Sequence, residues 1–299
     1  MSELRKAGEP LLRILLTGSS GLLGHAVVKQ LLLHHRVFAV VRTSPAIPEP
    51  NIDYVVCDLT KPLDDSRLPK EIDIVIHLAQ SPHYRDFPNQ AAHVFQVNCA
   101  AMANLLDYAV KANVSHFIYT STGSVYEPYA GDMTEQTKLD PPSFYANSKW
   151  IAERLLRSYE PYFKTTVLRL FFLYGPHPDV KQTLINQLMK RVETGEAITL
   201  EGEGGGLEFV PTLTFDIARA IERVIDQGST GIFNAANPVS LTLEACVTIM
   251  GQWMGVTPIF KRQREKRAVR VVPPVEQLLL ALPTLQFTSF SEGVRLLCS

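Results

Sequence analysis

Short, almost continuously apolar runs alternate with stretches whose apolar residues recur at helical spacing through the first two-thirds of the chain. The runs "RILLTG" (13–18), "VFAVVR" (37–42), "DYVVCD" (53–58), "DIVIHLA" (73–79), "HFIYTST" (116–122) and "TTVLRLF" (165–171) predict strands. Their β-branched, unbroken apolar character is that of parallel strands covered on both faces. Between them, 22–34, 91–113 and 145–159 carry the 3.6-residue period of amphipathic helices, and Pro161 stops the last of these. Strand–helix–strand alternation predicts an α/β chain built on a doubly wound parallel sheet of the Rossmann type. After Phe172 the pattern loosens. "GEGGG" (202–206) marks a turn, a helix opens near Asp216, and "GIFNAAN" (231–237) reads as a strand returning to the sheet. Residues 1–171 are therefore expected to form the sheet domain, and 172–299 mainly a smaller C-terminal lobe with 231–237 returning to the sheet.

Composition narrows the class. At 299 residues with 46% hydrophobic and 20% charged residues, the chain fits a globular protein. A formal net charge of −1 gives no electrostatic case for nucleic acid or an anionic membrane. Cys57, Cys99, Cys246 and Cys298 lack metal-site or disulfide spacing and are expected as buried small hydrophobes in a reducing compartment. The polar start "MSELRKAGEP" and the short apolar run after it carry neither a signal core nor a membrane span, so a cytoplasmic, metal-free protein is expected.

"TGSSGLLG" places Gly18, Gly21 and Gly24 between the first strand and first helix. Glycines there permit a tight turn and close approach of a pyrophosphate to the helix N-terminus. The acidic residue that would bind ribose hydroxyls about 20 positions later is replaced by Arg42. A guanidinium suits a 2′-phosphate, which favours NADP over NAD. Asp58 is placed either to accept from the adenine amino group or to cap "DLTKP". In "FYANSKW", Tyr145 precedes Lys149 by four residues, stacking phenol and ammonium on one helix face. An ammonium one turn away should lower the Tyr145 pKa toward a useful range for proton transfer.

The ordered set "TGSSGLLG", "CDLT", "IHLAQ", "FIYTSTGSVYE", "YANSK", "LRLFFLYGP" and "FVPTLTFDIARAI" resembles the extended short-chain dehydrogenase/reductase family, the NAD-dependent epimerase/dehydratase group. The resemblance runs from about residue 13 to 245. It implies a cofactor surface of Gly18, Ser20, Gly21, Leu22, Leu23, Gly24, Arg42, Asp58, Leu59, Leu78, Ala79, Gln80, Asn98, Thr120, Phe172 and Leu173. It also implies Thr122, Tyr145 and Lys149 as the catalytic set, the last two also touching the cofactor. A Thr122 hydroxyl can bind the oxygen on which alkoxide charge develops during hydride transfer.

Candidate substrate contacts are His83, Tyr84 and Arg85 of "SPHYRDF", with Ser124 and Tyr126 after the catalytic threonine. His77, inside a strand, is expected as a satisfied core residue. Three features depart from the family pattern. Leu207 and then Glu208 stand where sugar-nucleotide members carry a diphosphate-binding Arg, and neither can bind phosphate. Arg219, Arg223, Lys261 and Arg262 could substitute, or could be surface charge. Gly123 and Ser124 follow Thr122 where dehydratases carry an acidic pair, and the family's Gly-Trp tail pattern is missing. The expectation is an NAD(P)-dependent epimerase or reductase acting on a secondary alcohol or ketone, of a nucleotide-linked sugar (4-epimerase or 4-keto reductase type). A carbonyl reductase of a non-sugar small molecule is the alternative, a non-catalytic NADP-sensing regulator a third. Two apolar helices, "VFQVNCAAMANLLDYAV" and "WIAERLLRSY", could pair two copies as a homodimer or be core.

Overall fold

The computed structural model describes residues 11–177, 183–263 and 265–298, so the polar start of the chain and Arg264 of the basic run lie outside the described residues. In chain order come β1 (Arg13–Thr17), α1 (Leu22–Leu31), β2 (Arg36–Val41), β3 (Ile52–Val56) and β4 (Ile74–His77). These are followed by α2 (Ala91–Phe95), one π turn (Gln96–Ala100), α3 (Ala101–Lys111), β5 (His116–Thr122), α4 (Phe144–Arg157) and β6 (Lys164–Leu170). The remainder adds β7 (Leu173–Tyr174), α5 (Leu184–Glu193), β8 (Ile198–Glu201), β9 (Glu208–Phe209), β10 (Thr212–Leu213), α6 (Thr214–Gln227) and β11 (Gly231–Ala235). It closes with β12 (Leu241–Thr242), α7 (Leu243–Met254), β13 (Phe260–Gln263), β14 (Arg270–Val271), α8 (Glu276–Ala281) and α9 (Phe290–Cys298).

Seven strands pair in parallel in the order β11-β6-β5-β4-β1-β2-β3, a Rossmann-type sheet. Strand periodicity explains its two cores. Ile14, Leu16, Ile74 and Ile76 turn toward α1 and α6, while the intervening Leu15 and Val75 turn toward α3 and α4. Each such side chain, fully buried, contributes about 1.5–3 kcal/mol. The strand order reverses between β1 and β4, and a cleft opens at the carboxyl ends of the strands there.

Local chemistry sets the bounds of α4. The Ser143 hydroxyl accepts from the Ala146 amide at 3.2 Å and starts the helix at Phe144. Pro161 has no N–H for the Arg157 carbonyl, and the helix ends at Arg157, two residues short of the predicted bound.

The basic run differs from the expected solvated loop. Phe260–Gln263 form β13, parallel to β8. Cys298 is exposed, unlike the other three cysteines, because α9 turns its last residues outward. Among the described residues no helix is long and apolar enough to cross a membrane, and no cluster of three or more His, Cys, Asp or Glu is placed to hold a metal ion.

Candidate active site

Backbone geometry shapes the glycine-rich turn. Gly18 holds φ +75°, and a Cβ there would come within 2.7 Å of the Ala79 amide nitrogen, so β1 and the segment after β4 approach only through glycine. At Gly24 a Cβ would fall 2.0 Å from the Gly18 carbonyl oxygen. The turn folds back onto the first turn of α1, whose leading N–H groups lack intrahelical partners. A cavity of about 720 Å³ opens over it. That volume, the glycine cradle and the α1 N-terminus fit a dinucleotide.

Of the predicted cofactor residues, Gly18, Ser20, Gly21, Leu22, Leu23, Gly24, Arg42, Asp58, Leu59, Leu78, Ala79, Gln80, Thr120, Phe172 and Leu173 line this one cavity. Arg42 is exposed at its β2 rim. Asp58 Oδ1 accepts from the backbone N–H and the hydroxyl of Thr60, which hold its carboxyl below the usual range; it caps the turn while still facing the cleft. Phe172 sits at φ +40°, a strained conformation for a side-chain-bearing residue, against the ring of Phe209.

Asn98 lies apart from the cavity lining. It is buried, its Oδ1 accepting from the Ser81 amide at 2.9 Å and its Nδ2 donating to Ser148 Oγ at 2.9 Å. It lies within the π turn, whose extra residue changes the helical register, and so it ties β4 to α4 without lining the cleft.

Thr122 and Tyr145 both reach the cavity. Thr122 Oγ1 accepts from the Ser124 amide at 3.2 Å, leaving its own proton for another acceptor. Tyr145 Oη donates to Gln80 Oε1 at 2.8 Å, and its ring packs at 5.0 Å on that of Tyr84, which carries the Arg85 guanidinium on its face at 5.1 Å.

Lys149 is buried instead. Its Nζ donates to the Thr120 carbonyl at 2.7 Å and sits 4.5 Å above the ring of Tyr119. The expected lowering of the Tyr145 pKa does not occur in this state: desolvation pushes the phenol up, against a smaller opposing effect from the Thr122 side chain. Burial instead lowers the Lys149 pKa to about 7, with Glu153 acting in the other direction.

The candidate substrate contacts divide. Arg85, Tyr84 and Ser124 line the cleft, whereas His83 bonds Asp86 Oδ2 at 2.9 Å and stands outside the lining. Tyr126 is buried behind the site, its Oη donating to Asn234 Oδ1 and accepting from Arg169. Arg169 also bonds Glu153 of α4, and both are almost fully buried. That pair anchors the helix bearing Tyr145 to β6. Four residues separate Glu153 from Lys149, a spacing that could have flagged it. The cleft residues Tyr129, Thr183, Leu184 and Val271 carry no motif, being brought in from a loop, the start of α5 and β14.

His77 is half as satisfied as expected. Nδ1 bonds Thr17 Oγ1 at 2.7 Å, Nε2 has no partner among the described residues, and burial lowers its pKa to about 3. Leu207 packs into the apolar core of the lobe. Glu208 pairs with Arg270, Arg262 with Glu244, and Arg219 with the buried Asp216.

The family model of the NAD dependent epimerase/dehydratase family matches residues 14–236. An uncharacterized UDP-glucose epimerase of Bacillus subtilis is 28% identical over 217 residues, covering 64% of this chain and 66% of that relative, just under two thirds of its length. A low-salt glycan biosynthesis protein of Haloferax volcanii is 28% identical over 249 residues, covering 77% and 78%. Among solved structures, a UDP-glucose 4-epimerase of Thermus thermophilus in complex with NAD superposes with TM-score 0.78 at 23% identity, covering 96% of this chain and 98% of that one.

Proposed function

The chain belongs to the NAD dependent epimerase/dehydratase family, and from that premise we propose that it is an NAD(P)-dependent epimerase or reductase acting on a secondary alcohol or ketone of a nucleotide-linked sugar. The observation that carries this reading is the convergence of Thr122 and Tyr145 on the cavity that opens over the glycine cradle. The glycine turn, the α1 N-terminus and the residues after β4 would hold the dinucleotide, which would supply the hydride chemistry. Thr122 directs its hydroxyl proton to the substrate oxygen and stabilises alkoxide charge. Tyr145 gives that oxygen a proton in reduction and takes one in oxidation. Lys149, beneath the floor, holds the ends of β5 and α4 together through the Thr120 carbonyl. The exposed Arg42 at the β2 rim supports NADP as the preferred cofactor.

A second reading, reduction of a ketone that carries no diphosphate, has its own support. Leu207 is packed among apolar side chains, and Arg262, Lys266 and Arg270 are each matched with an acid. Apolar side chains exposed on α2, α3 and α4, namely Phe95, Val110 and Ile151, support a homodimer. The test incubates the full chain with NAD or NADPH and UDP-, GDP- and dTDP-sugars, following epimers by NMR and the dinucleotide by absorbance. Turnover of a nucleotide sugar is the expected result. Turnover confined to simple ketones selects the second reading, and cofactor binding without turnover of either class overturns both.

A further inference from the structure

Tyr145 has one proton, and it is already committed. Oη donates it to Gln80 Oε1 at 2.8 Å, and both side chains line the cleft beside Thr122. For Tyr145 to protonate a substrate oxygen, the Oη–H bond must break with its electron pair left on Oη, and the Gln80 bond must be released. The resulting phenolate needs donors. Around it, burial and the neighbouring Tyr84, Tyr129 and Glu127 disfavour negative charge, and the Thr122 side chain favours it. Arg85 rests on the face of Tyr84, and Lys149, buried, directs one N–H to the Thr120 carbonyl.

Gln80 can answer that need from where it stands. Its amide carries an acceptor on one side and two N–H donors on the other, and its terminal torsion is soft. A half-turn replaces Oε1 by Nε2 at nearly the same point.

We infer that Gln80 is a positioning residue that tracks the Tyr145 proton: its amide oxygen accepts from the phenol, and its amide nitrogen, after rotation, donates to the phenolate. The inference rests on the acid–base role proposed for Tyr145. A hydrogen bond to a charged oxygen is stronger than one to its neutral form, so a rotatable amide favours ionisation overall, by about tenfold in the ionisation constant. It also keeps Oη in one place across both protonation states, so the proton moves without the ring moving.

The test needs no substrate. The full chain is prepared with tyrosine carrying 13C at Cζ and saturated with NAD. The resonance missing from Tyr145→Phe identifies Tyr145 among the ten tyrosines. Its shift is then followed against pH in the unchanged chain, in Gln80→Met, which keeps length without donor or acceptor, and in Gln80→Glu, which accepts only. The expected result is titration about one pH unit higher in the Met variant and higher still in the Glu variant. Titration at the same pH in the three chains overturns the inference, as does a Tyr145 that never titrates while the fold holds. Should Gln80→Met fail to fold, Gln80→Leu, which also removes donor and acceptor and adds no charge, decides in its place; the Glu variant, whose charge raises the titration by itself, serves only as the upper bound. The two readings separate cleanly: turnover that needs Tyr145 alongside unshifted titration removes only the Gln80 role. Full turnover in Tyr145→Phe removes the acid–base assignment itself.

Discussion

Replacing Lys149 by Met should stabilise the cofactor-free fold at neutral pH and below. Burial lowers the lysine pKa from 10.5 to about 7. Below pH 7 the ammonium is charged in both folded and unfolded chains, and the fold bears the whole cost of keeping it out of water, at most about 5 kcal/mol. Between about 7 and 10.5 the unfolded chain holds a proton that the folded one has released, so stability of the unchanged chain rises with pH across that window. Met matches the aliphatic stem in volume but strips the Thr120 carbonyl of its donor, a loss of about 1–3 kcal/mol. The net gain at pH 6 is then about 2–4 kcal/mol, shrinking as pH approaches 10 and changing sign there once only the lost hydrogen bond remains. Urea unfolding of both chains at pH 6, 8 and 9.5 measures the difference, in which every other titrating group cancels. A Met variant less stable at pH 6, or a difference independent of pH, would show that the buried ammonium does not cost the fold stability.

Three further outcomes follow from the geometry. Gly24→Ala drives a Cβ into the Gly18 carbonyl and must reshape the turn at about 1–3 kcal/mol, so dinucleotide affinity by calorimetry should fall roughly 5- to 150-fold. Glu153→Met leaves the Arg169 guanidinium buried without its carboxylate, and chemical denaturation should register a loss of about 3–5 kcal/mol. Arg42→Ala should weaken NADP binding about 10-fold or more and leave NAD affinity nearly unchanged; equal effects on both would show that Arg42 does not read the 2′ position.

The sheet was legible because parallel strands buried on both faces leave an unbroken apolar signature, and β1, β4 and β5 carry it plainly. The glycine turn was legible because the close approaches at Gly18 and Gly24 exclude any other residue. Tyr145 could be placed on a helix face from spacing, but its candidate role came from the resemblance of "YANSK" and its neighbouring motifs to the family pattern. What spacing could not reveal was depth. Lys149 lies one turn from Tyr145 along α4, yet the packing of β5 and Tyr119 turns its ammonium inward, away from the phenol it was expected to activate. The partners of Asn98, Ser81 and Ser148, lie 17 and 50 residues away, which no local spacing in the sequence reveals. Tyr126 looked like a cleft residue by proximity to Thr122, but Asn234 and Arg169, distant in the chain, draw its hydroxyl into the interior.

If the phenol of Tyr145 carries the proton in turnover, Tyr145→Phe must slow hydride transfer measured in a single turnover. With dinucleotide affinity measured in parallel on the same variant, the expected rate is lower by about 10²–10⁴ and cofactor binding stays within about twofold of the unchanged chain. A transfer rate equal to that of the unchanged chain would contradict it.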